Sequence, residues 1–377
     1  MSTDNFEGPY IKFLNPDCHY GFHVAKAKTF LQTYKTYDSM CVPFDTFQIY
    51  IGNSRSYMKG KEDEICEKLA LDLHQASTFV NNRCYKTFIH SNLIHNLCGN
   101  KDGPNACSFK HNLDGTLYGL TLELDHGSMM KGPVIVHTGS CVDKEFGENR
   151  IADSMLYTMT NETSLTRICA KTSNRSIDDI KGGRVLLLEN CAGEGNKIGK
   201  SLDEYKRIFD IYDDMVEELN VDEGMKQRYK SNVGVCIDTA HIFGAGIYDL
   251  GNEREVVKFF KEVDNTIGID RLKAFHLNDS KVEFNSKKDR HQNLGLGHIF
   301  NEERVDKEGE EMSGLDGLRT FVDHAMEHGI PMIGEPPRSS YGGIFDFKVM
   351  EYHTHMFEDK HTDVYDMSDD PSIEFEC

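Results

Sequence analysis

Short apolar segments recur along the whole chain and alternate with segments of helical periodicity. Several of them, including VLLLE and VGVCID, are apolar on consecutive residues, which is typical of parallel strands buried on both faces. Eight such strands alternating with helices predict an α/β fold, a single closed (β/α)8 TIM barrel, with an open doubly wound sheet as the alternative. The predicted strands are residues 20–24, 46–52, 86–91, 133–139, 184–190, 234–239, 272–279 and 331–337.

The connecting segments carry helix start and stop signals. Ser201 and Glu204 have the spacing of a capping box, and Gly329 follows LDGLRTFVDHAMEH as a predicted C-terminal cap. No linker divides residues 20–340, so we expect one barrel domain at 20–345, an N-terminal extension at 1–19 and a tail at 346–377. The stretch near 98–127 is extra length to which the sequence assigns no function.

Composition and charge restrict where such a protein works. The formal net charge is −20, and residues 351–377 hold nine acidic residues against one lysine, so the tail is expected to be solvated. No apolar run approaches the roughly 20 residues of a membrane span, and the N-terminus lacks signal-peptide features. We therefore expect an intracellular, soluble protein of the cytoplasm or nucleus. Eleven scattered cysteines without a C-x-x-C pair are expected mostly as free thiols, with a disulfide near Cys18 and Cys41 left open.

Residue types that bind metals stand at the ends of the last six predicted strands or just after them. The C-terminal strand ends of a barrel meet on the face where catalysis occurs in this fold, so these side chains should converge. Buried carboxylates that converge without cations would repel one another and take up protons. The nine residues are His90, His137, Glu189, Asp238, His241, His276, Asp289, His291 and Glu335.

The mixture of imidazole and carboxylate without thiolate suits Zn²⁺, with Mn²⁺ or Fe²⁺ as substitutes. Nine ligands are too many for one ion and suit three, with a bridging carboxylate. Three divalent cations carry more positive charge than four carboxylates carry negative charge. An acidic protein can therefore present an anion-binding mouth at this face.

These motifs resemble the endonuclease IV family of apurinic/apyrimidinic (AP) endonucleases, also called AP endonuclease family 2, which are zinc enzymes of DNA base-excision repair. The matching segments are LLLENCAGEG, GVCIDTAHIFGAGIYD and FHLNDSKVEFNSKKDRHQNLGLG, with HTGS and GEPP as weaker matches, and the resemblance covers roughly residues 20–340. It implies hydrolysis of the phosphodiester 5′ to an abasic site in double-stranded DNA, leaving a 3′-hydroxyl and a 5′-deoxyribose phosphate. The resemblance also implies a monomer without an obligate protein partner, and 3′-end trimming is an additional expectation.

The resemblance implies three zinc ions per chain and assigns each of the nine residues to one. Glu189 bridges the first two ions, and Glu189 and Glu335 are expected to orient the attacking water as catalytic residues. The implied ligand sets are His90, His137 and Glu189 for the first ion, Glu189, Asp238, His276 and Glu335 for the second, and His241, Asp289 and His291 for the third.

DNA contacts are expected from basic residues in loops on the same face. Arg55 stands where the family places an arginine that enters the helix near the lesion, and Lys288 and Arg290 are expected to meet phosphates. Further cations on this face are Lys197, Lys287 and Arg338.

Three positions depart from the family pattern. Thr138 stands where proline is common, Pro336 replaces a threonine, and Leu93 stands where relatives often carry a tyrosine that fills the gap left by the flipped nucleotide. The metal chemistry is expected to survive these changes, whereas the substrate preference depends on them.

Two alternatives remain open from the sequence. A xylose isomerase-like sugar isomerase or epimerase shares the barrel and a metal–carboxylate centre. Such an enzyme usually holds one or two ions and lacks the loop with the DRH segment, which is residues 289–291 here. A barrel that has lost catalysis and serves as a binding module predicts broken ligand sets, whereas all nine positions here carry ligand residue types.

Overall fold

Eight parallel strands close into a barrel in the computed structural model, which describes residues 18–39, 44–52, 62–99, 106–306, 309–337 and 344–354. The strands are β1 (Tyr20–His23), β2 (Thr46–Tyr50), β3 (Lys86–His90), β4 (Val134–His137), β5 (Leu186–Glu189), β6 (Val233–Asp238), β7 (Leu272–His276) and β12 (Met332–Gly334). Their order around the barrel is β1-β12-β7-β6-β5-β4-β3-β2, and each strand pairs in parallel with both neighbours. The predicted (β/α)8 fold is therefore confirmed.

Helices surround the barrel and connect its strands. The 98–127 stretch, which has no functional assignment from sequence, contains most of a long helix that lies between β3 and β4. The helices are α1 (Phe30–Ser39), α2 (Glu62–Asn82), α3 (Ala106–Met130), α4 (Lys144–Thr160), α5 (Ser164–Ser173), α6 (Ile177–Lys181), α7 (Leu202–Glu217), α8 (Glu223–Ser231), α9 (Thr239–Gly244), α10 (Glu253–Thr266), α11 (Gly314–Glu327) and α12 (Ile344–His353), with a 3-10 turn at Ile269–Arg271.

The alternation of side chains along each strand produces two apolar layers. In β4, Val134 and Val136 point outward and pack in the large core beneath the helices, whereas Ile135 points into the barrel. The inner layer fills the barrel interior, so the fold has a packed centre rather than a pore. Its members are Phe88, Ile135, Leu187, Cys236, Ala274 and Ile333.

The predicted caps at the ends of two helices, α7 and α11, are only partly confirmed. Ser201 caps α7 by accepting a hydrogen bond from the Glu204 backbone N–H, but Glu204 does not return the contact. Its carboxylate accepts from the backbone N–H groups of Gly199 and Lys200 at 2.8 Å instead, so the prediction of a capping box is wrong for this half. Gly329 has a φ of +61° after α11, which confirms the predicted C-terminal cap.

Four two-residue strands, which the sequence did not predict, lie in the long connection after β7. They are β8 (Asp279–Ser280), β9 (His291–Gln292), β10 (Arg304–Val305) and β11 (Glu311–Met312). β8 pairs with β9 and β10 pairs with β11, both antiparallel. The β8–β9 pair closes the loop that carries Asp289 and places His291 at its end.

The fold does not decide the expected domain boundaries or the disulfide left open near Cys18 and Cys41. The domain boundaries at 19/20 and 345/346 stay predictions. Cys18 is a free thiol, like the other seven cysteines that can be described, and Cys41 lies outside the described residues. Among the described helices, none combines the length and the apolar character that a membrane crossing requires.

Candidate metal centre

The predicted ligand residues stand on the same face of the barrel because the parallel strands end in register. His137 at the end of β4 is level with Glu189 at the end of β5. Asp238 at the end of β6 is level with His276 at the end of β7. Asp289, His291 and Glu335 reach this face from the loops after β7 and β12. Eight of the nine side chains form three groups, in each of which the ligand atoms lie close together, and Asp289 lies beside the third group.

The first group contains His90, His137 and Glu189, whose ligand atoms lie within 4.8 Å of one another. Glu189 Oε2 lies 3.3 Å from His137 Nδ1 and 3.5 Å from His90 Nε2. Two ligand atoms that each lie ~2.1 Å from one tetrahedral ion are about 3.4 Å apart. The separations therefore match a shared ion better than direct hydrogen bonds, which are normally ~2.7–3.2 Å long.

The second group contains Glu189, Asp238, His276 and Glu335. His276 Nδ1 lies 3.0 Å from Glu189 Oε1, 3.4 Å from Glu335 Oε2 and 4.0 Å from Asp238 Oδ2. Glu189 belongs to both groups, with one oxygen facing each of them. A carboxylate that faces two groups is in the position that the bridging role implied by the resemblance would require.

The third group contains Asp238, His241 and His291, and Asp289 contacts both of its histidines. His291 Nε2 lies 3.4 Å from both Asp238 Oδ2 and Asp289 Oδ1, and His241 Nε2 lies 3.2 Å from Asp289 Oδ2. The geometry adds Asp238 to the set of His241, Asp289 and His291 that the resemblance implied. Asp238 thus links the second group to the third, as Glu189 links the first to the second.

Hydrogen bonds outside the groups fix which histidine nitrogen faces the pocket. Nδ1 of His90 lies 2.8 Å from the Ser91 carbonyl oxygen, and Nδ1 of His241 lies 2.9 Å from the Asn190 carbonyl oxygen. A carbonyl oxygen only accepts, so each Nδ1 donates. The Nε2 lone pair of both rings is therefore directed at the pocket, as a metal ligand requires.

Three polar residues that sequence analysis missed support the second group. Gln48 on β2 donates to Glu335 Oε1 at 2.7 Å, and its Oε1 accepts from His276 Nε2 at 2.8 Å. Asn278 donates to Asp238 Oδ2 at 2.7 Å and accepts from the backbone N–H of Glu335. His23 at the end of β1 lies 3.4 Å from Glu335 Oε1. The hydrogen bonds of Gln48 and Asn278 orient side chains of the second group.

Burial and charge act in opposite directions on the carboxylates. Burial raises the pKa of the Glu189 carboxyl, but His137 and His276 outweigh this effect and hold the pKa well below its ordinary value. Burial likewise raises the pKa of Asp238, and the neighbouring His241 and His291 again turn the net shift downward. Both groups are therefore ionised, and their negative charge is balanced by neighbouring imidazoles.

The imidazoles show the complementary shifts. Burial lowers the pKa of His241, but Asp238 and Asp289 outweigh it and raise the pKa well above its ordinary value. The pKa of His291 rises to about 9 because Asp238 outweighs burial, whereas burial lowers the pKa of His137 to about 4. Without another cation, protons on imidazoles must neutralise the pocket. A divalent cation would supply the same positive charge and would use the nitrogen lone pairs instead.

Unpaired buried atoms complete the test of whether these residues fit metal ions. Glu189 Oε2, His241 Nε2 and His291 Nε2 are buried and have no hydrogen-bond partner among the described residues. Buried polar atoms are normally satisfied. All three belong to the candidate ligand groups, so the donor set, the separations and the unpaired atoms are compatible with bound cations.

One buried carboxylate organises the loop that carries Asp289 and His291. Asp279 accepts hydrogen bonds from the backbone N–H groups of Ser280, Gly295, Gly297, Ile299 and Phe300. A Cβ on Gly297 would lie 2.3 Å from Asp279 Oδ1, so only glycine allows the backbone to approach this closely. The glycines of LGLG therefore serve loop packing.

The predicted DNA-contacting residues are only partly described. Lys288 and Arg290 are exposed in the loop before His291, and Arg290 donates to the Asp289 carbonyl oxygen. Lys287 in the same loop donates to the Ala245 carbonyl oxygen, and Lys197 pairs with Glu194 at 3.1 Å. Arg55 and Arg338 lie outside the described residues.

Two of the departures from the family pattern have local explanations. The Thr138 hydroxyl donates to the Ile198 carbonyl oxygen and ties β4 to the loop after β5, a contact that proline could not make. Leu93 is 41% exposed in the loop after β3, where a large apolar side chain gains little from burial within the chain. Pro336 is partly buried beside Glu335, and nothing in the structure explains the substitution.

Sequence comparison links this chain to known proteins. A family model described as xylose isomerase-like TIM barrel matches residues 123–318. A probable endonuclease 4 of Ureaplasma urealyticum is 33% identical over 60% of this chain, and the alignment spans only 59% of that relative's own length. A probable endonuclease 4 of Chloroflexus aggregans is 27% identical over 79% of this chain and 84% of the relative.

Comparison with solved structures agrees on the fold. The crystal structure of endonuclease IV from Thermus thermophilus superposes with a TM-score of 0.59 and 20% sequence identity, and the superposition covers 88% of this chain and 97% of the other. At this level of identity, the likeness supports the barrel alone.

Proposed function

We propose that this chain is a metal-dependent AP endonuclease. It belongs to the xylose isomerase-like TIM-barrel family, and its relatives in Ureaplasma urealyticum and Chloroflexus aggregans are each named probable endonuclease 4. The resemblance predicted from the sequence motifs is thereby confirmed at the level of the family. In its full form, the proposal is hydrolysis of the phosphodiester 5′ to an abasic site in double-stranded DNA. The products are a 3′-hydroxyl and a 5′-deoxyribose phosphate, and 3′-end trimming belongs to the same proposal.

The observation that carries the proposal is the sharing of carboxylates among the three ligand groups. Glu189 joins the first and second groups, and Asp238 joins the second and third. Three cations held at this spacing would neutralise several oxygens of one phosphodiester at once. A single ion would suffice to activate one water molecule, so the extended arrangement favours phosphodiester hydrolysis.

The nine proposed metal ligands are His90, His137, Glu189, Asp238, His241, His276, Asp289, His291 and Glu335, and Zn²⁺ is the proposed ion. Zinc ions bound there would supply Lewis acidity, stabilising negative charge on phosphate oxygens and lowering the pKa of water. Glu189 and Glu335 are the proposed catalytic residues. Their carboxylates are ionised at neutral pH, so they can orient an attacking water by accepting hydrogen bonds from it.

Residues behind the carboxylates hold them in position for this role. Gln48 holds Glu335 and His276 in place by one hydrogen bond to each, and Asn278 holds Asp238 by donating to its Oδ2. Preorganised groups lose little free energy to rearrangement during the reaction. Lys288 and Arg290 flank this pocket and are proposed to contact the DNA phosphates, together with Arg55, which lies outside the described residues.

The test is incubation of the zinc-loaded chain with a duplex that contains one tetrahydrofuran abasic analogue. We expect a single nick 5′ to the analogue and a 3′-hydroxyl that a polymerase can extend. Glu189→Gln removes the shared charge at nearly constant volume and should abolish nicking together with bound metal. Glu283→Gln, an exposed carboxylate in the loop after β7, is the matched control and should nick like the wild type. A zinc-loaded wild-type chain that leaves the duplex intact would refute the proposal.

The second candidate is a sugar isomerase or epimerase, which the description of the family model favours. Such a centre needs one or two cations, so the third group around His241 and His291 would have no role in it. The number of ions bound at the candidate centre separates the two functions, since three ions in this pocket favour the nuclease and one or two favour the isomerase. Conversion of ketose to aldose in the absence of nicking would establish the second candidate.

A further inference from the structure

A second set of potential metal ligands lies at the end of α11, outside the candidate centre. We call His324, Glu327 and His328 the helix-end cluster. These residues are spaced i, i+3 and i+4, so they share one face of the helix. One ligand atom from each lies within 4.8 Å of the others, and His324 Nδ1 is 3.5 Å from Glu327 Oε2.

The helix-end cluster lies on the opposite face of the barrel from the candidate centre. α11 ends just before β12, and β12 runs from Met332 to Gly334, toward Glu335 at the centre. The end of α11 is therefore level with the start of β12, at the N-terminal face of the barrel. Residues at that face serve stability rather than catalysis in this fold.

One buried ring holds both histidines of the cluster. The ring of Phe260 on α10 is nearly parallel to that of His324, with centroids 4.9 Å apart and an angle of 27°. It is also nearly parallel to that of His328, with centroids 6.0 Å apart and an angle of 19°. Because Phe260 is buried, the two imidazoles rest against a fixed surface and lose little conformational freedom when they bind a ligand.

The backbone at the end of α11 is fixed as well. Gly329 adopts a left-handed conformation, and its N–H donates to the Met326 carbonyl oxygen at 2.9 Å. The N–H of Ile330 donates to the Ala325 carbonyl oxygen at 2.8 Å. This cap keeps His328 one turn beyond His324, which is the spacing that lets two imidazoles reach one ion.

Charge and donor type favour a cation at this place. The C-terminal end of a helix carries a partial negative charge, and Glu327 adds a carboxylate whose side chain is 70% exposed. Two imidazoles and one carboxylate form a ligand set that zinc uses with water in the fourth position. The same set also binds other late transition metals.

We infer that the helix-end cluster binds one divalent transition-metal ion, with Zn²⁺ as the ion that its donors fit best. The ion is separate from those of the candidate centre. It links the last turn of α11 to its C-terminal cap and stabilises the contact of α11 with α10. The inference does not depend on the proposed function.

The experiment measures zinc bound to the full-length chain and the effect of zinc on its thermal unfolding. His328→Asn and Glu327→Gln change exposed positions of the cluster, and His74→Asn, an exposed histidine on α2, is the matched control. Each protein is dialysed against buffered zinc, its metal is counted by mass spectrometry, and its fold is checked by circular dichroism. We expect His328→Asn to bind one equivalent fewer than the wild type and to show a smaller rise in Tm with zinc. Glu327→Gln should bind the same equivalent more weakly, and His74→Asn should match the wild type.

The inference is overturned if both cluster variants keep the wild-type zinc count and the wild-type rise in Tm. Should His328→Asn fail to fold, Glu327→Gln alone decides, because its exposed side chain can lose its charge without repacking. Nicking of an abasic duplex is measured in parallel and should be unchanged in both variants. A lost equivalent with normal nicking supports the inference, and a retained equivalent opposes it whatever the nicking activity.

Discussion

Two carboxylates, Glu189 and Asp238, connect the three ligand groups into one continuous site. Both are buried; Glu189 faces two groups with different oxygens, whereas Asp238 Oδ2 lies near histidines of two groups. Neither could be replaced by a neutral residue without leaving imidazoles unbalanced in two groups. The connection explains why a site with this many charges can exist inside an apolar barrel, since every carboxylate has a positive neighbour.

Gln48 provides a test of how far the residues behind the ligands matter. It contacts both His276 and Glu335, and it is fully buried. Gln48→Met keeps the volume but removes both hydrogen bonds, and loss of such a partner typically lowers metal affinity or activity about 10–100-fold. We therefore expect a loss of that size in zinc affinity, measured by competition with a chromophoric chelator, with an unchanged circular dichroism spectrum. Wild-type affinity in this variant would show that Gln48 does not orient the ligands.

Seven of the nine candidate positions could be selected from the sequence because they stand at or just after the end of a buried strand, a place that can be recognised by pattern, whereas Asp289 and His291 lie in the loop after β7. It did not predict Gln48, whose only signal is one amide inside the apolar segment TFQIY. His23 also ends a strand and lies beside Glu335, so the rule that selected His90 and His137 could have found it. Asn278 could not be distinguished, because an asparagine after a strand is a common turn residue.

At the scale of elements, close contact between strands constrains β1. A Cβ on Gly21 would lie 1.7 Å from the Thr46 carbonyl oxygen on β2, so no larger residue fits without moving a strand. Gly21→Ala should therefore lower the free energy of unfolding by about 1–3 kcal/mol, as overpacking usually does. Equilibrium unfolding in urea measures this change.

Gly52 is the matched control for Gly21, since a Cβ there would meet nothing within 4 Å among the described residues. Gly52→Ala should change the free energy of unfolding by less than about 0.5 kcal/mol. Equal effects of the two substitutions would show that the strand contact does not limit residue 21.

A buried carboxyl group on α3 makes the stability of that helix depend on pH. Burial raises the pKa of Glu123 from 4.5 to about 8, although the Asn92 backbone N–H donates to it, and burial lowers the pKa of the adjacent His95 to about 3. An ion pair between Glu123 and His95 would instead lower the pKa of Glu123 and raise the pKa of His95. Burial therefore dominates, and both side chains are neutral between these two pKa values. The stability contributed by Glu123 is fully present below pH 4.5 and is lost as the pH rises through about 8.

Glu123→Gln should remove this pH dependence, because an amide does not titrate. The Tm of the variant, relative to the wild type, should rise between about pH 5 and about pH 9, by the equivalent of a few kcal/mol at most. Thermal unfolding followed by circular dichroism gives the comparison, with the exposed Glu302→Gln as control. A constant difference in Tm across this range would mean that Glu123 is already ionised at the lower pH.

Some helices and strands could be predicted from local sequence patterns and others could not. The barrel strands and α7 could be predicted because apolar periodicity persists over several residues. The two-residue strands β8 to β11 could not, since so short a strand has no periodicity. Their loop is held by Asp279, whose five backbone hydrogen bonds join residues that are far apart in the chain. Glu204 had the right spacing for a capping box, but its carboxylate accepts from the backbone N–H groups of Gly199 and Lys200 instead.

The whole molecule combines a formal charge of −20 with a proposed polyanionic substrate. Cations in the pocket and basic residues around it would have to overcome this charge locally. Residues 351–377 carry much of the excess, and most of them lie outside the described residues. The local field at the mouth of the barrel therefore matters more than the net charge.

Removal of Lys288 and Arg290 tests this local field. The double substitution Lys288→Ala with Arg290→Ala should weaken binding of an abasic duplex. It should also reduce the slope of log affinity against log salt by about 0.9 for each lost phosphate contact. Fluorescence anisotropy over a range of salt concentrations measures both quantities. Lys206→Ala, on α7 and paired with Asp210, is the control. A slope equal to that of the wild type would exclude phosphate contacts by these two residues.

The most direct measurement of the central claim is anomalous X-ray diffraction from crystals of the zinc-loaded chain, recorded on both sides of the zinc absorption edge. The three ligand groups predict three peaks in the pocket, each about 2.0–2.2 Å from the nitrogen and oxygen atoms of its ligands. Glu189 should contact two of them. A pocket without anomalous density, or one in which His90, Asp238 and His291 point in unrelated directions, would contradict the claim.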